Sequence, residues 1–65
     1  MEKDLAERVI AYSRATGTTY RAIGEAVGLT PQQSKYVISR FVGGKVKLYP
    51  QTQQQLIELL EQNGY

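Results

Sequence analysis

Apolar residues recur every three or four positions in four stretches of the chain, and this spacing predicts four helices. The first is predicted over residues 3–16 and the second over about 19–26. The third covers about residues 31–42, and the fourth begins at Pro50 or, after a Thr52–Gln55 capping pair, at residue 53. The predicted fold class is therefore all-α, a compact four-helix domain with short connections.

The starts of the middle helices carry capping signals. Thr18 or Thr19 is expected to cap the second helix. Thr30 is expected to cap the third through its hydroxyl, Pro31 suits the first helical position, and Gln33 completes a Thr-x-x-Gln capping box. These signals make the third helix the best-defined element of the chain.

The second and third helices have the spacing of a helix-turn-helix unit. Gly24 costs about 1 kcal/mol relative to alanine inside a helix, so we expect another helix to approach it closely. Gly28 follows four residues later, where a turn needs a positive φ. Leu29 supplies the apolar corner residue, and Val37 lies nine residues after Gly28 on the inner side of the third helix.

The segment T-T-Y-R-A-I-G-E-A-V-G-L-T-P-Q-Q-S-K-Y-V-I-S-R resembles the lambda-repressor-like helix-turn-helix superfamily. Thr30 matches the threonine or serine that the family places after the corner residue. The later stretch, V-G-G-K and then L-Y-P-Q-T-Q-Q-Q-L-I-E-L-L-E-Q-N-G-Y, is similar to the loop and closing helix of phage repressors and of the lactose-repressor headpiece. The helix before the motif is more similar to the phage-repressor arrangement, so the resemblance covers nearly the whole chain.

Ser34 departs from the family pattern, which buries Val, Ile or Leu at this position. A serine there is expected to bond back to a carbonyl of its own helix and to weaken the core. It also leaves the register of the third helix open.

The resemblance implies that the third helix enters the major groove of DNA by its N-terminal half. The amide of Gln32 can pair with adenine, and Tyr36 can touch a thymine methyl or a base acceptor. The ring of Tyr36 lies opposite the apolar stripe, so it is expected to have nothing to pack on without a partner. The predicted base-reading residues are Gln32, Lys35, Tyr36 and Ser39; the alternative is an ordinary solvated helix face.

Charge along the chain favours a phosphate-facing surface. Net charge is only +2, but no acid occurs between Ala26 and Ile57. A basic zone between acidic or mixed ends is typical of a nucleic-acid footprint, although so few bases can also arise by chance. The predicted phosphate contacts are Thr19, Arg21, Thr30, Gln33, Arg40, Lys45 and Lys47, with Tyr49 and Gln51 as weaker candidates.

The remaining residues are assigned to packing. The run K-V-K-L-Y is expected to be a loop or a short wing strand, with Val46 and Leu48 facing the body and the lysines facing solvent. The other aromatic residues are interpreted as core: Tyr12, Tyr20, Phe41 and Tyr65.

Composition excludes several classes of protein. The chain has 65 residues, no His and no Cys, so it lacks the usual general base, zinc ligands and disulfides. We therefore expect no enzyme, no metal, no cofactor and no small-molecule ligand. No stretch is long enough to span a membrane and the N-terminus is not a secretory signal, so the expected location is the cytoplasm, in association with the nucleoid.

These inferences predict a sequence-specific double-stranded DNA-binding protein, namely a small transcriptional repressor of phage or plasmid type. It is expected to bind a palindromic operator as a homodimer, through a surface that is either the first helix or the fourth helix with the C-terminus. Two alternatives remain open. One is an excisionase-like or other architectural protein, or an antitoxin, which also binds DNA; the other is a helical protein–protein interaction module.

Overall fold

The computed structural model describes residues 4–65, and the chain forms four helices joined by short turns. These are α1 (Leu5–Thr16), α2 (Tyr20–Ala26), α3 (Pro31–Val42) and α4 (Pro50–Gln62). The all-α prediction is confirmed, and α3 has the predicted bounds. The predicted start of the first helix, Lys3, lies outside the described residues.

Two of the four helices begin with a side-chain cap. Asp4 Oδ1 accepts from the N–H of Ala6 at 2.8 Å, and Thr19 Oγ1 accepts from the N–H of Ala22 at 3.1 Å. Thr19 rather than Thr18 is therefore the cap of α2. The prediction for Thr30 was wrong in one respect: it has the extended backbone of an N-cap, but its hydroxyl makes no capping bond.

The helix α4 starts at Pro50 and not at residue 53. Its N-cap is Tyr49, which makes no side-chain capping bond, and Thr52 lies inside the first turn. Pro50 decides the start because its fixed φ suits the first helical position and its missing N–H would be unpaired there in any case.

The core lies between α1, the α2–α3 pair and α4. Among the tyrosines and Phe41 that the sequence assigns to it, Tyr12 is buried, while Tyr20 and Phe41 are partly buried against the core. Tyr65 is 37% exposed and belongs neither to the core cluster nor to the partly buried side chains packed against it, so the core assignment was wrong for this residue. The buried apolar side chains are Val9, Tyr12, Ile23, Val27, Ile38, Leu48, Leu56 and Leu60.

The turn between α2 and α3 depends on Gly28, which has a φ of +90°. Its N–H donates to the carbonyl of Glu25 at 3.2 Å, and the N–H of Leu29 donates to the carbonyl of Gly24 at 2.9 Å. This pair of bonds is a Schellman motif, which reverses the chain directly after a helix. Leu29 packs against the core, so the turn is fixed at both ends.

Gly24 is the point of closest approach between α2 and α3. A Cβ added there would lie 2.6 Å from the Cβ of Ser34 and 2.7 Å from its Cα, whereas carbon atoms pack best at about 3.5–4.0 Å. The predicted close approach of a second helix to Gly24 is confirmed, and that helix is α3.

Ser34 is the partner of Gly24 and is fully buried. Its hydroxyl donates to the carbonyl of Thr30 at 2.7 Å, and the carbonyl of Leu29 lies 3.4 Å away. The predicted bond within the helix is confirmed. The expected weakening of the core stays a prediction. Because Ser34 is fully buried and its Cβ and Cα lie directly against Gly24, the serine belongs to the contact between α2 and α3.

The segment between α3 and α4 is a loop, and no residue in 4–65 lies in a β-strand, so the wing-strand alternative was wrong. Leu48 is buried and Val46 partly buried, while Lys45 and Lys47 are exposed as predicted. Only a short stretch separates α3 from α4, and it offers no second strand with which to pair.

The C-terminal residue returns to α1. The Arg8 side chain donates through Nε to the carbonyl of Tyr65 at 2.7 Å, and the rings of Tyr12 and Tyr65 meet edge to face with centroids 5.7 Å apart.

The longest described helix, α4, has 13 residues, and no helix within residues 4–65 is an apolar segment of the length that a bilayer requires.

Candidate functional site

The outer face of α3 presents all four predicted base-reading residues. Gln32, Lys35, Tyr36 and Ser39 are exposed, while Ser34 and Ile38 on the opposite side are buried. Residues three and four positions apart lie on neighbouring turns of one helix face, so Gln32, Tyr36 and Ser39 form a continuous surface. We call this surface, with Lys35 at its edge, the outer face of α3.

Tyr36 has a neighbour that the sequence analysis did not identify. The guanidinium carbon of Arg40 lies 5.1 Å from the centroid of the Tyr36 ring, within the distance of a cation–π contact. The expectation that the ring has nothing to pack on was therefore wrong. The ring is still 61% exposed, so Arg40 covers only part of it. The i, i+4 spacing was the signal that could have revealed the pair.

Two threonines at helix starts differ in what their hydroxyls do. The Thr19 hydroxyl is engaged by the N–H of Ala22 within α2. Thr30 is exposed and its hydroxyl makes no capping bond to α3. Thr30 therefore keeps a hydroxyl that can bond to a ligand at the start of the helix that carries the outer face.

The basic candidates do not all lie in one place. Arg21 forms an exposed ion pair with Glu25 in α2, with the Nε and Oε2 atoms 3.8 Å apart; exposed pairs of this kind contribute little to stability. Lys45 and Lys47 belong to the loop between α3 and α4. Arg40 lies on α3 itself, over Tyr36.

A groove of about 280 Å³ lies beside α3, and the sequence analysis did not predict it. Its lining includes Gln33 and Val37 of α3 and Lys47 and Tyr49 from the segment that precedes α4. Tyr49 is 82% exposed, which makes it the most exposed large apolar side chain within residues 4–65. The full lining is Leu29, Gln33, Val37, Val46, Lys47, Leu48, Tyr49 and Thr52.

The electrostatic setting of α3 is one-sided. No acid occurs between Ala26 and Ile57, so α3, the loop and the first half of α4 carry positive charge alone. Within residues 4–65, no three acidic side chains come close enough together to hold a metal ion. The chemistry available on the outer face is thus hydrogen bonding by amide, hydroxyl and phenol groups, combined with positive charge.

Comparison of the chain with protein-family models, with curated proteins and with solved structures finds no match. The case for a function therefore depends on the residues and their geometry.

Proposed function

We propose that this protein binds double-stranded DNA in a sequence-specific manner by placing the outer face of α3 in the major groove. The main support for the proposal is the set of polar side chains that is exposed on this face. Gln32, Tyr36 and Ser39 are exposed on one side of a helix that is fixed on its other side by Ser34 and Ile38. A major groove about 12 Å wide admits one helix, and amide and hydroxyl groups are suited to its base edges.

The turn before α3 supports the same proposal. The close contact of Gly24 with Ser34 and the Schellman turn at Gly28 hold α2 firmly against α3. In helix-turn-helix proteins the first helix of such a pair crosses the DNA backbone while the second reads the bases. On this proposal Thr30, with its unused hydroxyl, and Gln33 contact phosphates at the start of α3.

The acid-free region supplies the electrostatic part of the proposal. Lys45 and Lys47 extend from the loop after α3 with no carboxylate nearby in the sequence. Phosphate contacts of this kind orient a protein on DNA without reading its sequence. The remaining proposed phosphate contacts are Thr19, the N-cap of α2, and Arg21 within α2.

The biological role that fits this small domain is transcriptional repression of phage or plasmid type. A single helix reads few base pairs, so a homodimer on a palindromic operator, with half-sites about 34 Å apart, would supply the affinity that one domain lacks. An excisionase-like architectural protein or an antitoxin would use the same face for a different role.

The apolar groove beside Tyr49 favours a second candidate function. A helical module that holds a protein partner would use an exposed tyrosine and an apolar groove in this way. Such a module need not respond to salt, and this separates it from every DNA-binding alternative.

The decisive measurement is a titration of duplex binding against salt. Affinity should fall with a slope of about 0.9 log units per phosphate contact for each log unit of salt. Joint substitution of Lys45→Ala and Lys47→Ala should weaken binding to all duplexes alike and lower the slope by about 2. Arg14→Ala, which removes one exposed cation from the last turn of α1, is the control and should leave the slope unchanged. A flat salt response of the unsubstituted protein would overturn the proposal and favour the interaction module.

A further inference from the structure

The contact of Tyr36 with Arg40 is the one side-chain contact described for a residue of the outer face of α3. The guanidinium carbon lies 5.1 Å from the ring centroid. Within residues 4–65 the only ion pair is that of Arg21 and Glu25, so no carboxylate competes for Arg40. The aromatic ring is the partner that holds this cation in place.

The direction of the Arg40 side chain determines where on α3 the guanidinium lies. Arg40 belongs to the last turn of α3, and helical side chains point back toward the N-terminus. Four residues correspond to about 6 Å along the axis and about 40° around it. By lying over Tyr36, the guanidinium is brought back from the end of α3 toward its middle, and from the side of the helix toward the face that holds Gln32.

The contact with Tyr36 leaves the donors of Arg40 free. The guanidinium takes part in none of the hydrogen bonds described for residues 4–65, and its five N–H groups form a rigid planar fork. Among base edges in the major groove, guanine offers two adjacent acceptors, N7 and O6, that accept a guanidinium bidentately. A lysine can bear the same charge but lacks the planar fork that donates this pair of bonds.

We infer that Arg40 reads a guanine in the major groove and that Tyr36 is the positioning residue that orients it. The inference rests on the proposed function and deepens it, since it names the base and replaces the phosphate role expected for Arg40 from the sequence alone. The contact with Tyr36 restricts a long, flexible side chain before DNA arrives, and this lowers the entropy lost when the bonds to guanine form. The phenolic hydroxyl of Tyr36 is not needed for this role.

The test is selection of bound sequences from a random duplex pool with the full chain and three variants. The unsubstituted protein should enrich a guanine at one fixed position of each half-site. Arg40→Lys, which keeps the charge, should reduce the preference for that guanine roughly 5- to 150-fold. Tyr36→Leu should reduce the same preference although Arg40 is intact. Tyr36→Phe keeps the ring and should retain the preference.

Lys45→Ala is the control, because loss of a phosphate contact should lower affinity without changing the enriched sequence. Unchanged base preferences at every position for Arg40→Lys would overturn the inference while leaving the proposed function intact. Loss of the guanine with Tyr36→Phe but not with Arg40→Lys would also overturn it, since the hydroxyl would then be the reader. If the unsubstituted protein does not bind duplex DNA at all, the proposed function fails and this inference fails with it.

Discussion

The two faces of α3 differ in how completely the fold uses their side chains. On the inner face, Ser34 and Ile38 are fully buried, and the Ser34 hydroxyl is satisfied by the carbonyl of Thr30. On the outer face, the side chains of Gln32, Lys35 and Ser39 take part in none of the hydrogen bonds described for residues 4–65. Packing within the fold explains the residues on the inner face of α3, whereas the side chains on the outer face are free to contact a partner.

Substitution of Gly24 should have the largest effect, because it breaks the inner face. In Gly24→Ala the new methyl group would overlap both the Cβ and the Cα of Ser34, so α2 and α3 must separate. Overpacking of this kind costs about 1–3 kcal/mol, and we expect the upper end of that range because the backbone of Ser34 must move. After about 1 kcal/mol is gained from alanine's helix propensity, the net loss should be about 2 kcal/mol, which lowers Tm by about 8–16 °C in a domain of this size.

The matched control for this substitution is Gly43→Ala at the end of α3. Gly43 has a φ of −79°, and a Cβ there would meet its nearest neighbour at 3.5 Å, which is ordinary van der Waals contact. This variant should be neutral or stabilising by up to about 1 kcal/mol. Equal melting temperatures for the two variants would contradict the assignment of Gly24 as the closest contact.

Gln32→Ala tests the outer face of α3. Since Gln32 is exposed and not used by the fold, its loss should change the free energy of unfolding by less than about 0.5 kcal/mol. Under the proposed function it should reduce the discrimination between a selected duplex and random DNA by about 1–3 kcal/mol. Binding to both duplexes by equilibrium titration, together with a thermal melt, measures both quantities.

The control is Gln62→Ala, which removes the same type of side chain from an exposed position at the end of α4. It should alter neither stability nor discrimination. An equal loss of affinity for both duplexes in Gln32→Ala would mean that this side chain touches only the DNA backbone.

Much of the inner face could be predicted from the sequence, because its rules are local. Glycine at position 24 is costly in a helix unless something lies close to it, and Gly28 followed by Leu29 fits only a turn with positive φ. Periodicity and Pro31 were enough to give the bounds of α3. What the sequence analysis read as a misfit, Ser34, was the residue that meets Gly24; a motif that expects a large apolar residue there does not reveal a contact between two small ones.

For the outer face, the sequence predicted which residues are exposed together but not the contacts that their side chains make. Which side chains touch one another there depends on rotamers, and the sequence does not specify a rotamer at an exposed position. The cation–π contact of Arg40 with Tyr36 is such a case. The groove beside Tyr49 also depends on tertiary structure, because the path of the loop brings Val46 and Lys47 opposite Val37.

The smallest effect concerns the two threonines at the N-cap positions of α2 and α3, of which only Thr19 makes a capping bond. Thr19→Ala removes the bond to the N–H of Ala22 and should cost about 1 kcal/mol of stability. Thr30→Ala removes a hydroxyl that caps nothing, so it should cost less than about 0.5 kcal/mol. Urea denaturation of the two variants side by side distinguishes these values.

Thr30→Ala should nevertheless weaken binding to duplex DNA, because on the proposed function its hydroxyl is free to donate to a phosphate at the start of α3. Equal destabilisation by both substitutions would mean that Thr30 also caps its helix in solution, and its hydroxyl would then no longer be free for DNA. A Thr30→Ala variant that is as stable as the unsubstituted protein but binds DNA more weakly would extend the outer face of α3 to the first residue before the helix.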